Sequence, residues 1–92
     1  MDFEWNDDKA AANLIKHGID FTDALDVFAD GRVLILVDRV RYDELRFRAI
    51  GCVDDSMLSV AYTMRAETCG IISARRASRN ERGRYRALPT KH

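Results

Sequence analysis

The sequence predicts an α+β domain: two N-terminal helices, an antiparallel sheet of about four strands and a C-terminal helix. Three observations carry this expectation. The apolar period is helical as far as Gly31, extended from Val33 to Ala74, and followed by the capping signature Ser78-Arg79-Asn80-Glu81. Phe3-Glu4-Trp5 alternates and adds the option of an extra N-terminal strand.

Asn6 is a suitable N-cap for the first helix, with Asp7 and Asp8 at the positive end of its dipole and Gly18 as its stop after His17. Ala11, Leu14 and Ile15 share one face, and Lys9, Asn13, Lys16 and His17 form a polar stripe beside it. Asp20 opens a second helix whose apolar side is Phe21, Ala24, Leu25 and Phe28. Asp20, Asp23, Asp26 and Asp30 are expected to face water and not a metal. Val33 to Val37 is a continuous β-branched-rich run, the pattern of a strand covered on both sides, and Asp38 to Asp43 reads as a charged connection. Strands over Arg46–Val53 and Leu58–Met64 follow, the second with Leu58, Val60, Tyr62 and Met64 on one face. A last strand covers about Gly70 to Ala74. In the closing helix, Tyr85 and Leu88 point inward and Arg79, Arg82 and Arg86 form a basic stripe.

With 92 residues, 47% hydrophobic and 33% charged, the chain has the composition of a single folded domain over residues 1–92. No apolar run approaches the roughly 20 residues that span a bilayer. The acidic Met1-Asp2-Phe3-Glu4 start is unlike a signal peptide, so the expected location is the cytoplasm. Cys52 and Cys69 are expected to be buried, reduced thiols. Fifteen bases balance fifteen acids, yet residues 1–31 hold eight acids against Lys9 and Lys16, while residues 69–92 hold seven bases against Glu81. Twelve of the fifteen bases are arginine, the side chain suited to phosphate. Two explanations stay open: an anionic partner such as nucleic acid, or pairing of the two ends with each other.

Three ordered segments carry a family likeness. Phe3-Glu4-Trp5, Lys9, Asn13, Lys16-His17-Gly18-Ile19, Phe21, Ala24 and Phe28 resemble the opening of BrnT-type toxins. Glu44, Arg46-Phe47 and Ala49-Ile50-Gly51 resemble that family's second motif. Ile71-Ile72-Ser73-Ala74-Arg75-Arg76-Ala77-Ser78-Arg79, with Glu81, Arg82 and Tyr85, is similar to its closing signature. The resemblance covers residues 2–86 and implies a type II toxin with a RelE-like fold, an mRNA-cleaving ribonuclease held inactive by a BrnA-type antitoxin. DNA would be met only through the antitoxin, and a homodimer within the toxin–antitoxin complex is an option. Two departures from the family pattern stand out. Thr68-Cys69-Gly70 stands where basic residues are usual, and Leu45 stands where a second acid is common.

Metal-independent RNA cleavage uses the substrate's 2′-hydroxyl as nucleophile and needs a base beside it, cations around the phosphorane and an acid at the leaving oxygen. No cofactor is implied. His17 is the first candidate for acid or base, with Glu44 the alternative base, although pairing of Glu44 with Arg46 is a simpler role. Arg46, Arg65 and Arg75 lie at or near strand ends and are candidates to converge on one phosphate. At least one of them is expected to pair with an acidic helix instead. Lys9, Lys16, Arg76, Arg79 and Arg82 are candidates for holding RNA phosphates. The Thr68-Cys69-Gly70 departure supports another reading, a weak or inactive relative acting as an antitoxin-binding co-repressor or an RNA-binding module.

Overall fold

A computed structural model describes residues 1–41 and 44–89. In chain order these form β1 (Asp2–Glu4), α1 (Asp7–His17), α2 (Phe21–Ala24) continuing into a 3₁₀ helix (Leu25–Ala29), β2 (Leu34–Arg41), β3 (Glu44–Val53), β4 (Ser56–Arg65), β5 (Thr68–Arg76) and α3 (Arg79–Arg86). All five strands lie in one sheet of order β1-β5-β4-β3-β2. The four longer strands form the expected antiparallel meander, but β1 pairs with β5 in parallel, so the sheet is mixed. Short connections dictate how sequence neighbours pair, and β1 joins a strand from the far end of the chain. No helix among the described residues is long and apolar enough to cross a membrane.

The helix caps follow local chemistry. Asn6 Oδ1 accepts from the Lys9 amide, Asp20 Oδ1 from the Thr22 amide, and Ser78 and Glu81 complete the capping box reciprocally. Gly18 adopts φ 71°, the left-handed stop that glycine makes without steric cost. The second helix is shorter than its apolar pattern suggests, because after Ala24 the turn tightens to 3₁₀ geometry. Phe21, Ala24 and Val27 are all fully buried. They pack on Ala49, Val60, Tyr62, Ile71 and Ala74 to make the main core on one face of the sheet. Ile72 is an unpaired bulge residue, which allows both Ile71 and Ala74 to face this core. On the other face α3 lays Tyr85 and Leu88 against Leu34, Leu36 and Ile50, a smaller cluster at one end of the sheet.

Four expectations are corrected. α1 does not bury its apolar stripe: Leu14 is 47% and Ile15 87% exposed, whereas Asn13 is 7% exposed. α1 rides on the rim of β5, and that rim presents unpaired backbone groups. The Asn13 amide donates to Ala74 O at 2.9 Å and to Ile19 O at 3.0 Å, and its Oδ1 accepts from Ala74 N at 3.1 Å. β2 is an edge strand, with Leu34 and Leu36 under α3 but Ile35 and Val37 exposed, and it runs through Asp38 to Arg41 with a bulge between Val37 and Arg39. Polar side chains do not end it, since its ladder to β3 uses backbone groups. Tyr42 and Asp43, the end of the expected connection, lie outside the described residues. Asp30 does not face water freely: it accepts from the Tyr85 hydroxyl at 2.6 Å, the Cys52 amide at 2.8 Å and the Arg32 amide at 2.9 Å. Burial pushes the Asp30 carboxyl up, and those donors outweigh it to hold it below the usual range. Cys69 is buried, its thiol pushed up to about 11 by burial, but Cys52, near the β3–β4 turn, is exposed; both are free.

Asn13→Ala should therefore be severe. It leaves three buried backbone groups without partners, and at about 1–3 kcal/mol for each stranded group the loss should reach roughly 3 kcal/mol or more in urea unfolding. Leu14→Ala, one residue along but outward, should change stability by under about 0.5 kcal/mol. Similar losses for both would mean that Asn13 does not anchor α1.

Candidate active site

Away from α3, the second face of the sheet is open and polar. Strand alternation places Glu44, Arg46 and Arg48 of β3, Thr63 and Arg65 of β4, and Gly70 of β5 on this face. An open cleft of about 410 Å³ is lined by Glu4, Trp5, Asn6, Lys9, Glu44, Arg46, Thr63, Arg65, Gly70, Ile71 and Ile72. Its floor is a cross-strand row in which Arg46 lies opposite Thr63, and Thr63 opposite Gly70. A Cβ at Gly70 would come within 3.1 Å of Thr63 Oγ1, so the glycine keeps this floor open. Cys69 points away into the core, which leaves Thr68 and Gly70 as the members of that triplet on the cleft side.

Arg65 Nε donates to Glu44 Oε1 at 3.0 Å, and its guanidinium lies 4.0 Å from Glu4 Oε1. Glu44 is therefore the partner of Arg65 and not of Arg46, because Arg46 faces Thr63 across the ladder. The Arg65 side chain is 69% exposed, so this bridge contributes little to stability and is easily exchanged. Arg46 makes no ion pair among the described residues, and its Nε is buried without a hydrogen-bond partner. Lys9 enters from the first turns of α1. Trp5 packs edge-on against Phe21, with ring centres 6.0 Å apart.

Arg75 lies elsewhere on the same face. It lines a second cleft, of about 820 Å³, with Asp38, Arg39, Arg48, Ser78, Glu81 and Arg84 among its walls. Its guanidinium grips Glu81 through two bonds of 2.8 and 3.1 Å. Glu81 also accepts from the Ser78 amide at 2.8 Å and the Ser59 hydroxyl at 3.3 Å, while Arg48 donates to Ser59 at 3.0 Å and approaches Asp38 at 3.7 Å. The three strand-end arginines thus divide, Arg46 and Arg65 in one cleft and Arg75 in the other. The helix acid that Arg75 pairs with is Glu81 of α3. Residue type alone does not mark Arg48 and Glu81 as site candidates; the signal that would is the register that sets Arg48, Ser59 and Arg75 on one face.

His17 lines neither cleft. It is half-buried at the far end of α1, eight residues and about 12 Å along the helix from Lys9. Lys16, Arg76 and Arg79 are exposed, Arg76 donating to Ser56 Oγ at 3.3 Å. Arg82 donates to Ala77 O at 2.7 Å, bracing the start of α3. Among the described ion pairs only Arg65–Glu4 reaches the acidic first third, so that third and the C-terminal arginines do not pair off. No group of three or more His, Cys, Asp and Glu among the described residues is placed to hold a metal.

The family model described as the ribonuclease toxin, BrnT, of type II toxin–antitoxin systems matches residues 5–81. The chain belongs to the BrnT family. A search among curated proteins gave no match. Membership places the chain among the ribonuclease toxins and implies an antitoxin partner. The BrnT-matching region runs from Trp5 in the first cleft to Glu81 in the second, so the polar face lies almost wholly within it.

The surroundings of Glu81 favour its ionised form. Burial pushes its carboxyl up, but the hydrogen bonds from Arg75 and the Ser78 amide, with the charges of Arg75 and Arg48, prevail and hold it at about 2, against an ordinary 4.5. Its folded value is depressed, so its stabilisation is complete above the unfolded value and is lost as pH falls from about 4.5 through about 2. Unfolding midpoints of wild type and Glu81→Gln should converge as pH is lowered through that window. A gap that stays constant would show that the pair does not govern acid stability.

Proposed function

We propose that this chain is a metal-independent endoribonuclease toxin of RelE-like fold, working in the cytoplasm and neutralised by a BrnA-type antitoxin. The observation that carries this reading is the meeting of Glu44, Arg46, Arg65 and Lys9 around one open cleft in a chain of a ribonuclease-toxin family. Glu44 takes the proton from the substrate 2′-hydroxyl. The 2′-oxygen then attacks the adjacent phosphorus, the bond to the 5′-oxygen breaks, and that oxygen takes a proton from water in the open cleft. The products are a 2′,3′-cyclic phosphate and a 5′-hydroxyl, and DNA is spared because it lacks the nucleophile. Arg46 meets the phosphorane charge with a guanidinium that no carboxylate occupies among the described residues. Arg65 exchanges Glu44 for phosphate as the substrate enters. Lys9 holds a neighbouring backbone phosphate. His17 has no proton-transfer role in this reading, and Arg75 keeps α3 on the sheet.

A second reading, an antitoxin-binding co-repressor of little nuclease activity, is favoured by Gly70, since β5 brings no cation to the cleft floor. RNA cleavage separates the two. Purified chain should cut RNA in excess chelator and leave cyclic phosphate ends. Glu44→Gln should lower the rate by about two to four orders of magnitude, the usual contribution of a general base. Arg46→Ala should lower it with little loss of fold, and His17→Ala should stay within a few-fold of wild type. A requirement for added magnesium, or an undiminished Glu44→Gln enzyme, would overturn the mechanism. Loss of activity in His17→Ala with the fold intact would return proton transfer to His17.

A further inference from the structure

We propose that the open edge of β2 is the docking strand for the antitoxin, which adds an extended segment of alternating apolar and acidic side chains; this rests on the toxin–antitoxin reading above. The sheet treats its two edges differently. The β5 side is closed by β1 and then by the Asn13 amide, whereas among the described residues no strand covers the outer side of β2. Along that edge and behind it, Ile35, Val37, Val40, Leu45 and Met64 are exposed on the face that elsewhere carries the main core, Val37 and Val40 each at 67%. Val40 lies opposite Leu45, and Val37 opposite the core residue Phe47, so the core face simply runs out past its helical cover. A contiguous apolar strip of this kind marks an interaction site.

The opposite face of the same edge is cationic. The second cleft opens at Leu36 and Val37, and four arginines there stand against Asp38 and Glu81. Arg39 and Arg84 enter no ion pair among the described residues. A strand added to β2 alternates faces with a period of two. Its apolar side chains would cover Val37 and Val40, and its intervening side chains would face Arg39 and Arg84, where carboxylates complement them. A second copy of this chain fits less well, because it would bring its own arginines to that cationic face.

The probe is the polypeptide encoded by the reading frame adjacent to that of this chain, co-expressed and purified with the full chain. Amide exchange should show new protection concentrated in β2. Val37→Asp combined with Val40→Asp should weaken the complex about tenfold or more while leaving RNA cleavage by the free chain unchanged. Ile15→Asp, on the outward side of α1, should leave binding unaltered. A complex that forms undiminished with the β2 variant overturns this assignment and leaves the toxin–antitoxin reading standing. Failure of the wild-type chain to bind that polypeptide overturns both. A chain that binds it through β2 but cuts no RNA supports the docking edge and removes the nuclease reading instead. Dimerisation of the isolated wild-type chain, abolished by Val37→Asp, would assign the edge to a second copy and overturn the proposal.

Discussion

Asn13 replaces a strand. Its amide gives and takes a hydrogen bond with the same residue, Ala74, as a neighbouring strand would, and it also binds Ile19 O beyond the turn at Gly18. β1 covers β5 only from Thr68 to Gly70, so this one side chain continues the ladder where the strand has ended. The position of α1 follows from it. Lys9, one turn before Asn13, is brought to the rim of the first cleft, and the apolar side of α1 is turned to solvent. The helix is docked by polar satisfaction and not by its hydrophobic stripe, because unpaired backbone groups at a buried rim are costly.

The other organising feature is the division of labour between the two sheet faces. One face carries the main core and supports the helical layer. On the other, α3 covers one end and leaves the rest polar, and strand alternation, offset by the bulges at Asp38 and Ile72, brings the charged groups of the strands to both clefts. Glu81 joins the covered and open parts. It caps α3, receives Arg75 through two bonds and touches Ser59 beside Arg48, so the cationic surface is tied to the same contacts that set the helix in place.

What was legible in the sequence was mostly local. The caps at Asn6, Asp20 and Ser78, the stop at Gly18 and the inward Tyr62 and Tyr85 follow from signals a few residues long. The misread parts depend on where an element sits. Asn13 looks solvated until the rim of β5 is placed against it. Val33–Val37 reads as central because its composition is apolar, yet its place at the edge is decided by strand order, which no local pattern encodes. Glu44, Arg46, Arg65 and Lys9 were selected by chemistry and do share a cleft. Arg75 shares the residue type but lies opposite Ser59, in the second cleft on the same face, and His17 sits at the other end of α1 from Lys9. Residue type identified candidates; only the register sorted them into groups.

The parallel contact of β1 with β5 also bears on the order of folding. Asp2 pairs with Thr68 and Glu4 with Gly70, so the first strand has no partner until the last one exists. Short connections favour early closure of the β2–β3–β4 meander, whereas joining the chain's opening to β5 closes its longest loop, the entropically costlier step. Arg46 and Arg65 belong to the early part, but Glu4, Trp5, Asn6, Lys9, Gly70 and Ile72 complete the cleft only with the late step. A chain still emerging from the ribosome therefore carries arginines without a finished pocket around them. The first cleft becomes whole only once β5 has been made and β1 has joined it.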